Sequence, residues 1–532
     1  VTPTLYRRGR VRSPVDPFAT ALLVEDGTVV WVGRESAADA LSPHTTVDLE
    51  GAWVAPAFVD AHVHATSTGL ALTGLDLTGS PSLAEALRRL EEHCRRTRGA
   101  VVLGTGWDET AWPEGRPPTA AELDRASYGG VVYLARTDVH SAVASSALLA
   151  ACPEARGLPG SGPDGLVRQD AHHAVRRTAL SSVTPAQRRA AQQATLDQAA
   201  SLGIACVHEC GGPEISGEDD FVALLALQHR VERIGYWGEL GAVTRARELG
   251  AVGAGGDLFV DGALGSRTAC LSSPYTDGDT DRDTDRDTRR GRAYLDAGQV
   301  ATHVVACTRA GLQAGFHAIG DAALQAVVDG LAAAADELGV AAVRAARPRV
   351  EHAEMVTAGQ IEQLARLGTV ASVQPSFDAR WGGEAGMYAQ RLGRDRALAM
   401  NPLAALAAAG VALAFGSDSP VTPLDPWGTV RAAVHHRTAG SGLSAGAAFS
   451  AHTRGGWRAA SRDDEGELLP GAPATFAVWA VEGELVVQAP DALVEGRPTQ
   501  TRPGVGGLPD LDGPDPVCLQ VVVRGAVTHP SG

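Results

Sequence analysis

The chain has 532 residues, of which 44% are hydrophobic and 20% charged, a globular composition far from the disordered regime. Its net charge of −16, with no basic stripe, repels phosphate backbones, so no nucleic acid is expected as a partner. No stretch approaches ~18 uninterrupted apolar residues and the first residues lack the apolar core of a secretion signal, so the expectation is a cytoplasmic protein without a membrane span. Cys94, Cys152, Cys206, Cys210, Cys270, Cys307 and Cys518 are scattered and form no CxxC pair, which reads as free thiols in a reducing compartment.

Residues 1–57 read as short strands. ALLVEDGTVVWVG is a hairpin pattern turning at Asp26-Gly27. WVAPAFVDAHVH then delivers a strand that ends in polar residues. Residues 68–175 differ in character: SLAEALRRLEEHCRRT is an amphipathic helix with Leu83, Leu87 and Leu90 on one face, flanked by the strand-like runs VVLGTGW and VVYLART. This region is read as an α/β insertion after the first barrel strand. From about residue 176, helical and strand patterns alternate. TPAQRRAAQQATLDQAASLG is a helix with Thr184 as N-cap and Gly203 as its stop. Strand-like runs follow at IACVHE, DLFVDG, GLQAGFHA, RPRVEHA, VASVQP and VALAFGSD. Such alternation favours a parallel sheet, and its many repeats favour closure into a (β/α)8 barrel over 58–454. The charged low-complexity stretch 276–292 reads as a solvated loop; its interleaved arginines argue against a calcium site. After 455 short strands return, and residues 1–57 plus 455–532 are expected to form one small β-sandwich domain.

The chemistry begins at Asp60-Ala61-His62-Val63-His64. On a strand, residues i and i+2 face the same side, so both imidazoles can meet one divalent metal. Alone, this spacing is weak. Three later segments strengthen it: Phe316-His317-Ala318-Ile319-Gly320-Asp321, Val350-Glu351-His352-Ala353-Glu354 and Ala414-Phe415-Gly416-Ser417-Asp418-Ser419. Each puts a ligand-capable side chain at the C-terminal end of a predicted strand, and in a parallel barrel those ends share the face where active sites lie. His62, His64, His317, His352 and Asp418 are therefore the expected metal ligands. The adjacent pairs His172-His173 and His435-His436 point apart and are poor chelates, and His208-Glu209 reads as structural. No G-x-S-x-G precedes a helix, and no G-x-G-x-x-G follows a strand in a nucleotide-binding context.

With FHAIGD, EHAE and GSDSP, the ordered set HxH, His, His, Asp resembles the metal-dependent amidohydrolase superfamily, and more narrowly amidohydrolase family 3, the YtcJ-like branch that includes N-substituted formamide deformylase. DLFVDGALGSRTA (257–269), GWDETAW (106–112) and RTDVHSAVASSALL (136–149) carry the same resemblance, which spans roughly residues 20–480. It implies a (β/α)8 barrel, a flanking β-sandwich and usually zinc. One departure matters. Many members carry a carboxylated, metal-bridging lysine at the end of the fourth strand, where this sequence has Asp257. One Zn2+ is therefore favoured over two, with Asp257 as a further possible ligand.

The mechanism implied is attack by metal-activated water on a small-molecule amide. Asp418 shuttles the proton and His352 stabilises the oxyanion. Asp261, Arg267, His140, Trp107 and Gln374 are candidate substrate contacts, with a structural salt bridge as the alternative for Arg267 and a core position for Trp107. Deamination or cyclic-amide opening on the same scaffold is a second reading, separated from the first by the product released. A catalytically silent binding protein is a third, separated by metal content. Oligomeric state stays open, with a homodimer as the candidate.

Overall fold

The structure is a computed structural model describing residues 3–97, 101–277, 288–488, 493–494, 497–498, 501–503 and 507–529. Its centre is an eight-stranded parallel sheet, with β1 Phe58–Val63, β2 Ile204–Gly211, β3 Glu232–Trp237, β4 Gly253–Ala254, β5 Gln313–Ala318, β6 Arg349–His352, β7 Val370–Val373 and β8 Ala412–Phe415 in sequential order. The Asp418 amide donates to the His62 carbonyl at 2.8 Å and the His64 amide to the Ser419 carbonyl at 3.0 Å, which brings the two edge strands together and makes the sheet a TIM-type barrel.

Six of these strands correspond to runs read from the sequence. β3 does not, because it opens on the half-exposed Glu232 and Arg233 and contains Gly235, so its apolar signal is short. The fourth strand also needs correction. DLFVDG is not a strand; β4, Gly253–Ala254, ends two glycines before it, and within DLFVDG only Phe259 pairs, with His317. The cause is a close backbone approach. A Cβ on Gly255 would lie 2.3 Å from the Gly315 nitrogen, and Gly256 takes φ +77°, which turns the chain out of the sheet. That turn leaves Asp257 at the barrel mouth.

The helices of this part of the chain are α1 Ala65–Thr73, α2 Leu83–Thr97, α3 Gln169–Leu180, α4 Pro185–Ser201 and α5 Glu218–Ala226, of which α4 and α5 pack on the barrel and α2 and α3 on the inserted sheet. α4 begins with a reciprocal cap, Thr184 accepting from the Gln187 amide while the Gln187 side chain returns to Thr184, and the chain turns away at Gly203 with φ +82°. Its buried Leu196, Ala199 and Ala200 pack with Phe58 and Ile204 in the main core.

Between α1 and α3 a separate five-stranded sheet, from Leu75–Asp76 to Leu166–Arg168, carries α2 on it through buried Leu83, Ala86 and Leu90, with Leu87 at the margin. The chain ends supply two further sheets, one from residues 4–48 and one joining 10–11 and 53–56 to 476–480, 517–523 and 526–529. The hairpin turning at Asp26-Gly27 lies in the first of them. Leu22, Val24, Val54, Phe476 and Val522 share the core between these two sheets, while Trp479 packs edge-on to Phe58 at 5.8 Å and ties the second sheet to the barrel. The seven cysteines are unpaired. Among the described residues no helix is long and apolar enough to cross a membrane. Most of the charged stretch 276–292, namely 278–287, lies outside the described residues.

Because Gly255 has no room for a side chain, Gly255→Ala is expected to lower stability by about 1–3 kcal/mol, the usual cost of overpacking, read as a reduced denaturant midpoint.

Candidate metal centre

Each of the five expected ligands arrives at the same end of the barrel. His62 lies near the end of β1 and His64 just follows it; His317 is in β5, His352 ends β6 and Asp418 follows β8. All are buried. His64 Nε2 lies 3.1 Å from Asp418 Oδ1 and 3.1 Å from Asp257 Oδ2, and His62 Nε2 lies 3.5 Å from each of the same two oxygens. These separations surround about 3.3 Å, the edge of a tetrahedron whose ligands sit about 2.0–2.1 Å from a zinc ion. On the other side, Asp257 Oδ1 faces His317 Nδ1 at 3.2 Å and His352 Nε2 at 3.7 Å. Asp257 thus stands between two histidine pairs and belongs to the centre.

The hydrogen bonds behind these groups decide what they present. His62 Nδ1 bonds Glu351 Oε2 at 2.9 Å, so its Nδ1 carries the proton and Nε2 offers a lone pair inward. His352 Nδ1 likewise bonds Gln374 Oε1 at 2.8 Å, and His317 Nε2 reaches the Gly262 carbonyl at 3.3 Å. Lone pairs therefore face carboxylate oxygens, and His62 Nε2, His352 Nε2 and Asp418 Oδ1 are buried without a hydrogen-bond partner. Buried acceptors facing acceptors are costly unless a cation or proton stands between them. The donor set fits a divalent metal, with His62, His64, Asp257 and Asp418 as one cup and His317, His352 and Asp257 as a second, three-membered set.

The electrostatics agree. Burial alone would depress His64, but hydrogen bonds and charge from Asp257 and Asp418 lift its pKa to about 9. Burial would raise Asp257, yet the facing histidines hold it well below the carboxylate range. Without a cation, protons take its place.

Behind the cup lies a polar layer that the sequence reading did not single out. Arg349, wholly buried inside the barrel, donates to Glu351 Oε1 at 2.5 Å, to Ser372 Oγ at 2.9 Å and to the Ala61 carbonyl, and sits 2.9 Å from His208 Nδ1. It neutralises Glu351, which orients His62. Asp60 accepts from the His62 amide at 3.2 Å and the Ser417 amide at 2.9 Å, pinning β1 to the Asp418 loop, and burial pushes its pKa up to about 6. The pattern R-x-E-H along β6 was the available signal, since i and i+2 share a face. His172 bonds Tyr133 and His436 bonds the Asn401 carbonyl, so neither adjacent pair joins the cup.

The five expected substrate contacts fare unequally. His140 lines the cavity over the cup, its ring 5.1 Å from His317, and burial holds its pKa well below the ordinary histidine value. The other four are engaged elsewhere. Asp261 accepts from the amides of Cys270, Ile319 and Gly320 and staples two loops together. Arg267 is paired with Asp277 at 2.8 Å, which is the structural alternative. Trp107 is buried in the insertion, donating to the Leu134 carbonyl. Gln374 positions His352. The cavity wall is instead Leu264, Phe377, Trp381, Met387 and Tyr388, with the Glu354 carboxyl at its edge. The insertion reaches this wall through Asp138 and His140 and is anchored by a buried ion network. Arg136 binds Asp108, Glu109 and Asp138, and Arg391 joins Glu109 to Asp277.

A family model described as "Amidohydrolase family" matches residues 45–529. The chain belongs to the amidohydrolase family. It is 27% identical to the putative amidohydrolase YtcJ of Bacillus subtilis, over 78% of this chain and 80% of that one. It is 24% identical to the N-substituted formamide deformylase of Arthrobacter pascens, over 77% and 78%. Among solved structures, an uncharacterized metal-dependent hydrolase from Pyrococcus horikoshii superposes with a TM-score of 0.71 at 25% identity, covering 91% of this chain and 98% of that one.

Two measurements check the centre. Glu351→Gln is expected to weaken metal affinity 10–100-fold, read by competition with a chelator, because His62 loses the partner that fixes its tautomer. Metal binding at pH 7 should release protons, since His64 titrates near 9 without metal and is protonated below that value; calorimetry in buffers of differing ionisation enthalpy reads the release, which should shrink as pH rises through 9.

Proposed function

We propose that this amidohydrolase cleaves the C–N bond of a small, linear amide with Zn2+ as its cation. The observation that carries this is the four-membered cup of His62, His64, Asp257 and Asp418 at the floor of an apolar cavity. One cation held tightly in the cup is the core of the reading, with the set His317, His352 and Asp257 Oδ1 as a weaker second position. When bound, the cation supplies Lewis acidity toward the scissile carbonyl and toward water.

The chain's own groups do the rest. Asp418 lines the cavity and its Oδ1 has no hydrogen-bond partner, so its carboxylate takes the proton from the attacking water and returns it to the leaving nitrogen. The oxyanion role expected of His352 is replaced. Its Nδ1 proton is committed to Gln374, so its Nε2 offers a lone pair where an oxyanion needs a donor. His352 serves as a ligand. His140, held neutral by its surroundings, stands over His317 as a polar contact for substrate, while Phe377, Trp381 and Tyr388 exclude water and favour an apolar group beside the amide. Asp257 in place of a bridging lysine does not empty the site, because its carboxylate reaches both histidine pairs, and this supports catalysis over a silent binding role.

The test is a panel of N-acyl and N-formyl amines, with and without zinc, alongside metal quantification. One zinc per chain is expected to survive dialysis, with hydrolysis of at least one amide. Asp418→Asn should cut kcat by about 10²–10⁴-fold. Wild-type turnover by that variant with metal bound would remove the proton-shuttle assignment.

A further inference from the structure

A second cleft opens outside the barrel mouth, one ring layer from the metal centre. Phe259 meets His317 edge-to-face at 4.9 Å on one side and lies 5.7 Å from the His173 ring on the other, and beyond His173 the cleft begins. Its volume is about 220 Å3. Thr66 and Ser67 line it from α1, Arg176 and Arg177 from α3, Arg188 from α4, and residues 213–217 from the loop leading to α5.

The charges in this cleft do not balance. Arg188 is paired with Asp220 at 2.9 Å, and that carboxylate also accepts from the Thr66 hydroxyl at 2.9 Å. Arg177 is paired with Glu214 at 3.3 Å, which in addition lies 3.9 Å from His173. Both acids of the cleft are thus engaged. Arg176 is left over. It is only 8% exposed, yet among the described residues its guanidinium makes no hydrogen bond and no ion pair. Its charge is felt at longer range by Asp220, His172, His173 and Tyr133. Arg176 lines the cleft, so its donors are open to it and unused by the protein, and a group arriving from outside can pair with them. Planar, bidentate donors select an oxyanion.

We propose that this cleft binds a small oxyanion, a carboxylate or a phosphate, on the Arg176 guanidinium, with the Ser67 hydroxyl beside it. The site is independent of the metal and of the hydrolytic reading. Its place just past the ring layer suits an anionic group carried by a ligand larger than the cavity over the cup.

The experiment is calorimetric titration of the full chain with inorganic phosphate and, separately, with acetate, on zinc-loaded and on chelator-treated protein. At least one of the two anions is expected to bind saturably at one site per chain in both forms, and Arg176→Gln should weaken that binding at least 10-fold. The arm that saturates identifies the oxyanion. Absence of saturable binding in both arms, binding that needs zinc, or binding unchanged in Arg176→Gln would each overturn the proposal. Thermal unfolding checks the fold of the variant. If it does not fold, Ser67→Glu, which puts a competing carboxylate at the cleft wall, must abolish the binding instead, and undiminished binding there overturns the proposal equally.

Discussion

Two buried carboxylates facing four imidazole nitrogens are the constraint on which the barrel mouth depends. Asp257 and Asp418 come from different strand ends, and so do the histidine pairs they meet. Backing hydrogen bonds turn the lone pairs of His62, His317 and His352 toward these carboxylates, and a positive charge between them relieves the facing acceptors. A divalent cation does this with one particle, and protons on His62 and His64 do it imperfectly. A cation held by His62, His64, Asp257 and Asp418 would clasp β1 to the turn after β4 and the loop after β8, and its binding free energy would then also be folding free energy for this end of the barrel.

The second constraint is that the cavity is completed by an insertion with its own core. The sheet running from residue 75 to 168 packs most of its hydrophobic residues within itself, with Val139 reaching the cavity-wall cluster. Charge adds to that hold. Arg136, almost fully buried, is ringed by Asp108, Glu109 and Asp138, and Arg391 bridges Glu109 to Asp277 and the Gly265 carbonyl. Ser266 adds hydrogen bonds to Asp138, the same residue that lines the cavity. A polar joint of this kind is directional where an apolar one is not. It fixes where His140 stands relative to His317, and so ties substrate fit to a network remote from the metal.

What the sequence made legible follows from how local each signal is. His62 and His64 announce themselves by the period of a strand, and His317, His352 and Asp418 by their place at the end of apolar runs. β3 stayed hidden because Glu232, Arg233 and Gly235 interrupt its apolar pattern. DLFVDG misled because its composition is that of a strand, while its path is set by the contact of Gly255 with Gly315, sixty residues on. The substrate contacts were the least legible. The partners of Asp261 are amides at 270, 319 and 320, and the partner of Gln374 is His352; neither relation has a local trace. Arg349 and Glu351 were within reach, since their i, i+2 spacing puts both on the face that His62 shares.

Asp257 shows how a short side chain can hold a central position. The carboxylate of an aspartate sits one methylene from its backbone, so it can stand between two histidine pairs only if the backbone itself is carried to the mouth. The glycines before it allow that. Gly255 lies against Gly315 with no room for a Cβ, and Gly256 turns at φ +77°, so the chain leaves the sheet at the level of the ligands. The Leu258 carbonyl then accepts from the His317 amide at 2.9 Å and the Val260 amide donates to the His317 carbonyl at 3.0 Å, which locks the segment to the strand that carries one of the histidines it faces. A longer residue at 257 would meet the same centre from a strand left straight. Here the reach lies in the main chain, and the two glycines are as much a part of the metal centre as the carboxylate they deliver.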